Sequence, residues 1–337
     1  MTTTLPERAP AGSPANAAPV GTQLLATGPA RLAAPPADKR VKALQRFALS
    51  ITVFNIVGHL FLGFEQAPVT PVVCVLLGYA VDLLLETLNA RAEGRPTGFS
   101  GGWRNLVTYL LPTHIAGLAC GMLLYGNESL WPYLLAVTVA VSGKHFIRIK
   151  VGGRWRHFLN PSNSGIVVVL LLFPWVSIAP PYHFTNNTTG GLDWILPLGV
   201  LMAGSMLNAG LTGRMPLILG WLGGFVAQAV VRWLVLDHAL LAALAPMTGL
   251  AFILFTNYMI TDPGTTPFLA RNQAVFGVTT AAVYGLLVVS HVAFGLFFAL
   301  VITCALRAAV LLASPRLRLL VGANRASRSA STAGGGT

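Results

Sequence analysis

The chain has 337 residues, of which 54% are hydrophobic and only 9% are charged, and its mean hydropathy is +0.68. A soluble domain carries roughly 25% charged residues, so this composition excludes an ordinary water-soluble protein and predicts lipid around most of the chain. The net charge of +12 is by itself typical of nucleic-acid binders. The positions of the charges, described below, indicate a membrane-topology signal instead, so we expect lipid as a partner and no nucleic acid.

The order of polar and apolar segments divides the chain into three regions. Residues 1–40 and 314–337 are polar or rich in small residues, lack an apolar period, and are predicted to be disordered cytoplasmic tails. Residues 41–313 are predicted to form a transmembrane domain. Its apolar runs give about ten helical spans. The predicted spans are 47–64, 69–89, 105–125, 130–149, 162–179, 194–211, 215–236, 245–261, 274–290 and 292–313.

The Lys and Arg residues test this number of spans independently. They gather on alternate loops, as the excess of cationic residues in cytoplasmic loops requires when both ends of the chain are cytoplasmic. Of the 22 Lys and Arg residues, only Arg232 falls at a predicted outer end. Each added or missing crossing would reverse every later loop. The asymmetry therefore predicts an even number of crossings of the cytoplasmic membrane.

Several polar residues lie within the predicted spans, where a central carboxylate costs roughly 2.5–3.5 kcal/mol. Asp82 and Glu86 lie one turn apart on one face of the second span, and His114 follows Pro112 in the third. Such residues tend to face cavities, partners or ion paths, so Asp82, Glu86 and His114 are candidate residues of an ion path. Alternatively, Glu86 extends to the inner interface, Pro112 is a tolerated kink rather than a helix break, and His114 is a hydrogen-bonded structural histidine.

A basic loop with several glycines joins the fourth and fifth spans. Lys144 and His145 precede it, Arg154 lies in it, and the next helix is predicted to begin at Asn160-Pro161. Asn160 would be the N-cap and Pro161 the first helical residue. Free amides at this helix start favour a phosphate group, with four cations nearby: Lys144, Arg148, Arg154 and Arg156. The alternative is that the cations only set the membrane topology.

The second half of the chain contains a comparable polar segment, which closes the predicted eighth span. The residues that define it are Thr261, Asp262, Pro263 and Pro267. Asp262 is predicted to cap a turn that the prolines fix. Polar breaks in both halves are typical of transporters built from two repeats, with function where the repeats meet. Because five spans per repeat is an odd number, repeats at about 47–180 and 194–313 would be inverted.

These motifs resemble the NqrB/RnfD family, the membrane subunits of sodium-pumping NADH-quinone reductase and of the Rnf electron-transport complex. Four segments carry the resemblance in the family's order: Gly143-Lys144-His145 with Gly152-Gly153, Phe158-Leu159-Asn160-Pro161-Ser162 running into 167–174, 220–224 (GWLGG), and 259–267 (MITDPGTTP). The resemblance covers roughly residues 70–312. Within the family, the chain is most similar to the stand-alone UnbU-type membrane proteins of actinomycete enediyne biosynthesis clusters.

The resemblance implies an all-α, urea-transporter-like scaffold of two inverted five-helix repeats. It also implies FMN, which electron-transfer members attach to a threonine by a phosphoester, and riboflavin as a further flavin. In this chain Thr188 or Thr189 would supply the hydroxyl, although the Gly-Ala expected before it is absent. The other residues implied to bind the cofactor are Lys144, His145, Arg154 and Asn160. A soluble or membrane redox partner would supply the electrons.

The first functional hypothesis is therefore a flavin-associated electron-transfer component that supports enediyne-type natural-product biosynthesis. The alternative is a transporter of a small solute, ion or pathway product on the same scaffold without a cofactor. A third hypothesis is a membrane scaffold that docks soluble enzymes on its basic face. The sequence contains no motif of an autonomous enzyme, so we predict no catalytic residues and no metal ligands, and we expect the three cysteines to be packed small residues.

Overall fold

The structure is a computed structural model that describes residues 37–151, 154–179 and 187–313. The helices are α1 (Ala37–Val57), α2 (Val69–Ala92), α3 (Trp103–Leu123), α4 (Trp131–Phe146), α5 (Pro161–Leu172), α6 (Leu192–Leu207), α7 (Met215–Leu236), α8 (Leu240–Leu244), α9 (Leu250–Leu254), α10 (Ala270–Val289) and α11 (Gly295–Ala313). Two antiparallel ribbons pair β1 (Leu124–Tyr125) with β4 (Ser177–Ile178), and β2 (Arg148–Val151) with β3 (Arg154–His157). The predicted tails lie outside the described residues, except that α1 already begins at Ala37.

Seven helices in the described part of the chain are long and apolar enough to cross a membrane. They are Val41–Leu62, Val69–Ala92, Trp103–Leu123, Leu192–Thr212, Met215–Leu236, Ala270–Val289 and Gly295–Ala313. Large apolar side chains such as Leu60, Met206 and Leu234 are exposed on these helices, which is unfavourable in water and favourable in lipid. The chain is therefore an all-α, multi-pass membrane protein.

The connecting segments alternate between two ends of the helix bundle. At one end, Asn89 near the end of α2 contacts His145 near the end of α4, and Asn160 at the start of α5 contacts Met259. We call this the basic end, because cationic side chains gather there. Those described by side-chain contacts are Arg95, Lys144, Arg148, Arg156, Arg214 and Arg307. At the opposite end, β1 pairs with β4, and Ala179 N donates to Leu123 O at 2.8 Å.

Helices α4 and α5 are short, and only α4 passes between the two ends. Helix α5 begins inside the bundle, where Ser162 lies against Cys120 of α3 and Gly165 against Ala136 of α4. Helix α4 has 16 residues and α5 has 12, which correspond to about 24 Å and 18 Å. Helix α5 stops at Leu172, because Phe173 precedes Pro174 and takes an extended conformation. The chain then reaches the opposite end as far as β4 without helical structure. The predicted span 162–179 is therefore helical only in its first two thirds.

Pro112 and Pro246 lie within predicted spans, and the structures of these two spans differ. Helix α3 is continuous through Pro112, so the alternative of a tolerated proline holds and the predicted break does not occur. In the predicted span 245–261, the helical segments Leu240–Thr248 and Leu250–Met259 meet at a bend of 67°. Pro246 lies in a short 3₁₀ turn beside this bend, and Gly249 is extended. Counted as one span, the bent pair would be the eighth crossing.

Helices α1 and α6 end in the same unusual way. Each continues into a π-helical turn, Gly58–Leu62 after α1 and Asn208–Thr212 after α6. Each turn is closed by a glycine in the left-handed region, with φ of 76° at Gly63 and 64° at Gly213. A residue with a β-carbon is strained at these angles, so glycine fixes where both helices end.

Small residues let the helix backbones approach one another closely, as is usual in membranes, where packing replaces the hydrophobic drive. A β-carbon on Gly165 of α5 would lie 2.1 Å from the carbonyl oxygen of Ala136 in α4. A β-carbon on Gly277 of α10 would lie 2.4 Å from the carbonyl oxygen of Leu217 in α7. Both contacts are with backbone, so neither neighbour can rotate away. These pairs of helices are packed backbone to backbone.

We predict that Gly165→Ala destabilises the protein by roughly 1–3 kcal/mol, because the added methyl group must push α4 and α5 apart. Gly223→Ala in α7 is the matched control, since a β-carbon there meets nothing within 4 Å. The measurement is the thermal unfolding of both variants in detergent. A Gly165→Ala variant as stable as Gly223→Ala would show that the α4–α5 contact is looser than described.

Candidate functional site

The carboxylate of Asp82 in α2 is fully buried and accepts four hydrogen bonds. Tyr109 Oη at 3.1 Å and His145 Nε2 at 2.7 Å donate to Oδ1. Thr113 Oγ1 and Lys144 Nζ donate to Oδ2, the ammonium at 2.6 Å. Each carboxylate oxygen thus has two donors, and the lysine supplies the opposite charge. We call these five residues the Asp82 network, and its protein donors replace the water that an ionised carboxylate needs.

Lys144 connects the Asp82 network to the basic end. Its ammonium also donates to Thr113 Oγ1 at 3.2 Å and lies 5.4 Å from the centroid of the Tyr109 ring. The Lys144 side chain is 17% exposed, whereas Asp82 is 0% exposed. The carboxylate of the ion pair is therefore shielded completely, and only the Lys144 side chain is partly accessible. Removing either partner would leave a buried charge without compensation.

The contacts of His145 decide which ring nitrogen carries the proton. Arg148 Nη2 lies 3.3 Å and Asn89 Nδ2 lies 3.2 Å from His145 Nδ1. A guanidinium can only donate, so Nδ1 is an acceptor and the proton of the neutral ring is on Nε2. That proton points at Asp82 Oδ1. Arg148 and Asn89 therefore orient His145 as a donor to Asp82.

His114, a predicted ion-path residue, lies in a second polar cluster one helical turn away. Thr52 Oγ1 donates to the carbonyl of Ala48, so it accepts from His114 Nε2 at 2.8 Å. His114 Nδ1 then accepts from Tyr79 Oη at 2.8 Å. Tyr79 precedes Asp82 by three residues on α2, and His114 follows Thr113 on α3. The hydrogen-bonded role holds for His114, and the cluster extends the polar stripe away from the basic end.

Glu86, the other predicted acidic residue, has a different environment. Arg95 binds it with both terminal nitrogens, at 2.6 Å and 3.3 Å, and Gly98 N donates to it at 2.7 Å. These partners belong to the loop between α2 and α3. The geometry therefore favours the interface interpretation, in which Glu86 anchors this loop at the basic end, over a place in an ion path.

The start of α5 has the predicted capping geometry. Asn160 Oδ1 accepts from Asn163 N at 3.1 Å, and Pro161 is the first helical residue. Asn160 Nδ2 also donates to the carbonyl of Met259 at 3.1 Å. Asn163 Nδ2 donates to the carbonyl of Phe297 at 2.9 Å. These bonds tie the first half of the described chain, residues 37–179, to the second half, residues 187–313.

The predicted cap at Asp262 is confirmed by its hydrogen bonds. Asp262 Oδ1 accepts from Gly264 N at 3.0 Å, and Oδ2 accepts from Thr265 Oγ1 at 2.9 Å. Thr261 is buried, and its hydroxyl donates to the carbonyl of Asn257 at 2.7 Å. The carbonyls of Pro263 and Pro267 accept from Arg214. This segment is a rigid turn at the basic end, and we call residues 262–268 the Asp262 turn.

The residues implied to bind FMN do not form one site. Thr188 donates to the carboxylate of Asp193, and Thr189 is exposed. The neighbouring Asn187 packs on Gly63 at the opposite end. Helix α2 begins at this opposite end, at Val69. Asp82 lies 13 residues farther along α2, which is about 20 Å closer to the basic end.

The remaining residues of the predicted set are therefore far from the two threonines. Lys144 and His145 bind Asp82, and Asn160 caps α5. Arg154 begins β3, and its side chain lies outside the description. A single phosphate near Thr188 would not reach these groups, so the set does not fit one flavin.

Tyr109 and Thr113 are site residues that the sequence does not single out, and Arg148 is predicted only as one of the cations near the start of α5. Tyr109 and Thr113 lie four residues apart and so share a face of α3, which is the available signal in the sequence. Their partner Asp82 lies on another helix, and only packing brings the two faces together. Arg148 is one of many basic-loop cations, and nothing in the sequence distinguishes it from Lys150.

His157 in β3 is a further titratable group at the basic end, outside the membrane-spanning helices. Its ring packs on Gly264, where a β-carbon would lie 2.8 Å from Nε2. Burial lowers the pKa of His157 below its ordinary value; Asp262 opposes this shift, and the cations add to it. The cations are Lys144, Arg148 and Arg156. His157 is therefore neutral in the folded protein near neutral pH.

We predict that His157 makes the protein less stable in mild acid. Its unfolded pKa is about 6.5 and its folded pKa is lower, so the unfolded chain binds more protons and stability falls as pH drops from about 7 through that interval. His157→Gln should lose less thermal stability than the natural protein between about pH 7.5 and pH 5.5. His291→Asn, at an exposed position, should keep the natural slope. Equal slopes for His157→Gln and the natural protein would contradict this assignment.

The sequence matches no protein-family model and no curated protein. Fold and site together define a multi-pass, all-α membrane protein with a buried, charge-paired carboxylate. Among the residues described, no three His, Cys, Asp or Glu side chains converge to hold a metal ion. The three cysteines are free thiols buried in the helix packing. The resemblance to NqrB/RnfD therefore stays a prediction.

Proposed function

We propose that this protein is an ion-coupled membrane component in which protons move through the Asp82 network. The observation that carries the proposal is the buried carboxylate of α2 with four donors, two from α3 and two from α4. Titratable groups buried within transmembrane helices are costly and commonly serve proton relays. Asp82, His145 and Tyr109 are hydrogen-bonded in series, and the Tyr79–His114–Thr52 cluster lies one turn farther into the bundle. Together they offer a stripe of donors and acceptors along α2 and α3.

We propose ten crossings in two inverted five-helix repeats as the scaffold. Besides the seven long helices and the bent pair, α4 runs from one end to the other, and the chain returns through the β2–β3 ribbon, α5 and β4, which supports ten. The matched π turns after α1 and α6 support a repeat. In each half the first helix also contacts the third: Asn55 donates to Met122, and Asn208 donates to the carbonyl of Asn257. Two such halves of odd span number would be inverted.

We propose that the basic end faces the cytoplasm in the cytoplasmic membrane. The excess of Lys and Arg at one end is the pattern that fixes orientation during insertion. Arg232 is consistent with this orientation, since it is buried and donates to Gln228 within α7 instead of extending into an outer loop. An even number of crossings then places both ends of the transmembrane domain in the cytoplasm.

The favoured form of this function is a transporter without cofactor, in which proton movement accompanies a small solute, ion or pathway product. The dispersal of the residues implied to bind FMN favours this form. The Asp82–Lys144 pair would act as the gate, because the lysine must move before a proton or cation can replace it on the carboxylate. The exposed fraction of Lys144 lies at the basic end, which is where release would occur.

The second candidate is a flavin-associated electron-transfer component, as the resemblance to NqrB/RnfD implies. One observation favours it: the hydroxyl of Thr188 is hydrogen-bonded to the Asp193 carboxylate at the start of α6. In this form FMN or riboflavin would supply the redox chemistry, and a soluble or membrane partner would supply electrons. A role in enediyne-type biosynthesis rests on the same resemblance and is proposed with it.

We predict that neutralising Asp82 abolishes proton flux. In proteoliposomes with a pH-sensitive dye, Asp82→Asn should reduce the flux about a hundredfold, because the relay loses its central proton-binding group. Since Asp82→Asn leaves the Lys144 ammonium buried alone, the variant Asp82→Asn/Lys144→Met restores charge balance and should fold without conducting. Glu93→Gln, at an exposed carboxylate of the basic end, should conduct normally.

Two outcomes would oppose the proposal. A folded Asp82→Asn/Lys144→Met variant that conducts like the natural protein would remove the Asp82 network from the path. A natural protein with no flux above that of empty liposomes would remove the transporter form.

For the second candidate, we predict a flavin absorbance in the purified protein and a phosphate-linked mass on the peptide that contains Thr188. Thr188→Val should lose both the mass and the colour, because it removes the hydroxyl. Thr189→Val removes an exposed neighbouring hydroxyl and should keep them. A colourless natural protein with no added mass on this peptide would exclude covalent flavin.

A further inference from the structure

Three arginines from different elements converge on the Asp262 turn at the basic end. Arg214, just before α7, donates to the carbonyls of Pro263, at 3.4 Å, and Pro267. Arg307 of α11 donates to the carbonyl of Thr265 at 2.5 Å. These bonds orient two guanidinium groups around one turn. Carbonyl oxygens carry no net charge, so the bond to Thr265 orients the guanidinium of Arg307 without neutralising it.

The third arginine, Arg156 of β3, comes from the first half of the chain. Its guanidinium carbon lies 5.3 Å from the centroid of the Phe268 ring, and that of Arg214 lies 5.2 Å from the same ring. The side chain of Arg156 is half-buried and makes no hydrogen bond and no ion pair to any residue that the structure describes. A guanidinium has five N–H donors, and those of Arg156 have no acceptor among those residues.

The charges around this turn do not balance. Arg156 lies against the Phe268 ring and Arg307 binds the Thr265 carbonyl, so both charges lie on the same turn. Ion pairs among the described residues involve Asp82, Glu86 and Glu93, not these two arginines. Asp262 supplies one negative charge to this turn, so the two arginines exceed it by one charge. Like charges that are partly removed from water are unfavourable unless an anion joins them.

The start of α5 adds to this positive field. Asn160 Nδ2 donates to the carbonyl of Met259, three residues before the Asp262 turn. The first turn of α5 is thus tied to the segment that leads into this turn. The N-terminus of a helix carries a partial positive charge and favours anions. Here the helix start supports a site that the arginines define.

We propose a binding site for a phosphate group at the junction of the two halves. Its guanidinium groups are those of Arg156, Arg307 and Arg214, and the Phe268 ring lies against Arg156 and Arg214. The planar fork of a guanidinium matches two phosphate oxygens, which an ammonium cannot do. The phosphate belongs to an anionic lipid headgroup or to a soluble phosphate ester, since both present the same oxygens. Lys144 and His145 are held by Asp82 and take no part, so this site is independent of proton movement.

The test measures binding to the full-length protein in nanodiscs of phosphatidylcholine. In one arm inorganic pyrophosphate is added, and in the other phosphatidic acid is included in the nanodisc. Thermal stabilisation and native mass spectrometry report binding in both. Stabilisation by pyrophosphate would indicate a soluble ligand, and retention of phosphatidic acid alone would indicate a lipid. Either result supports the phosphate site.

Variants on one β-hairpin separate this site from general attraction of anions to the basic end. Arg156→Gln should bind the effective probe roughly tenfold more weakly or worse, because it loses charge-assisted hydrogen bonds. Lys150→Gln removes the same charge from an exposed position of the paired strand and should bind normally. Arg156→Lys keeps the charge without the fork and should fall between them.

Three results would overturn the site: no binding of either probe to the natural protein, equal binding by Arg156→Gln, or an equal loss in Lys150→Gln. If Arg156→Gln fails to fold, Arg156→Lys and the mass spectra of the natural protein decide. The Asp82→Asn/Lys144→Met variant should bind the phosphate normally. A loss of proton flux and a loss of phosphate binding are therefore distinguishable.

Discussion

An ionised carboxylate survives inside a lipid-embedded bundle only when protein atoms replace all of its water. Asp82 of α2 satisfies this requirement with two donors on each oxygen, one from α3 and one from α4. The three helices must therefore hold their relative rotation, because a turn of one helix would remove donors from the carboxylate. The ion pair thus fixes the geometry of the first half at the same time as it creates the candidate path.

The same requirement for satisfied polar groups joins the two halves. The side-chain amides of Asn160 and Asn163 donate to carbonyls of the second half, those of Met259 and Phe297. Arg214 and Arg307 then hold the turn that follows Met259 through its carbonyls. Short polar side chains near helix ends therefore join the two halves by hydrogen bonds, whereas soluble proteins join such units by burying extended hydrophobic faces. Lipid competes with apolar packing but not with these hydrogen bonds.

The membrane class was predictable from composition and charge placement. So few charges require lipid as the solvent, and the cations gather on one side, as they do in membrane proteins. Local rules also placed the Asn160 cap and the Asp262 cap, since each depends on residues within three or four positions. The Asp82 network was predictable only as an isolated acid. Its partners Tyr109 and Lys144 lie 27 and 62 residues away, and packing alone brings them to Asp82. The residues implied to bind FMN are a similar case. Thr188 and Lys144 both suit a phosphate group chemically, but they lie at opposite ends of the bundle.

Helix α5 also has a consequence for the surrounding bilayer. Its 12 residues cover about 18 Å, whereas the hydrocarbon core is about 30 Å thick. The exposed tryptophans Trp131, Trp175 and Trp194 lie near the opposite end, where indole rings favour the headgroup level. Residues 162–167 and Val169 of α5 are buried, so neighbouring helices and not lipid surround most of this helix. The bilayer can therefore keep its thickness beside α5, because protein covers the helix that is too short to cross it.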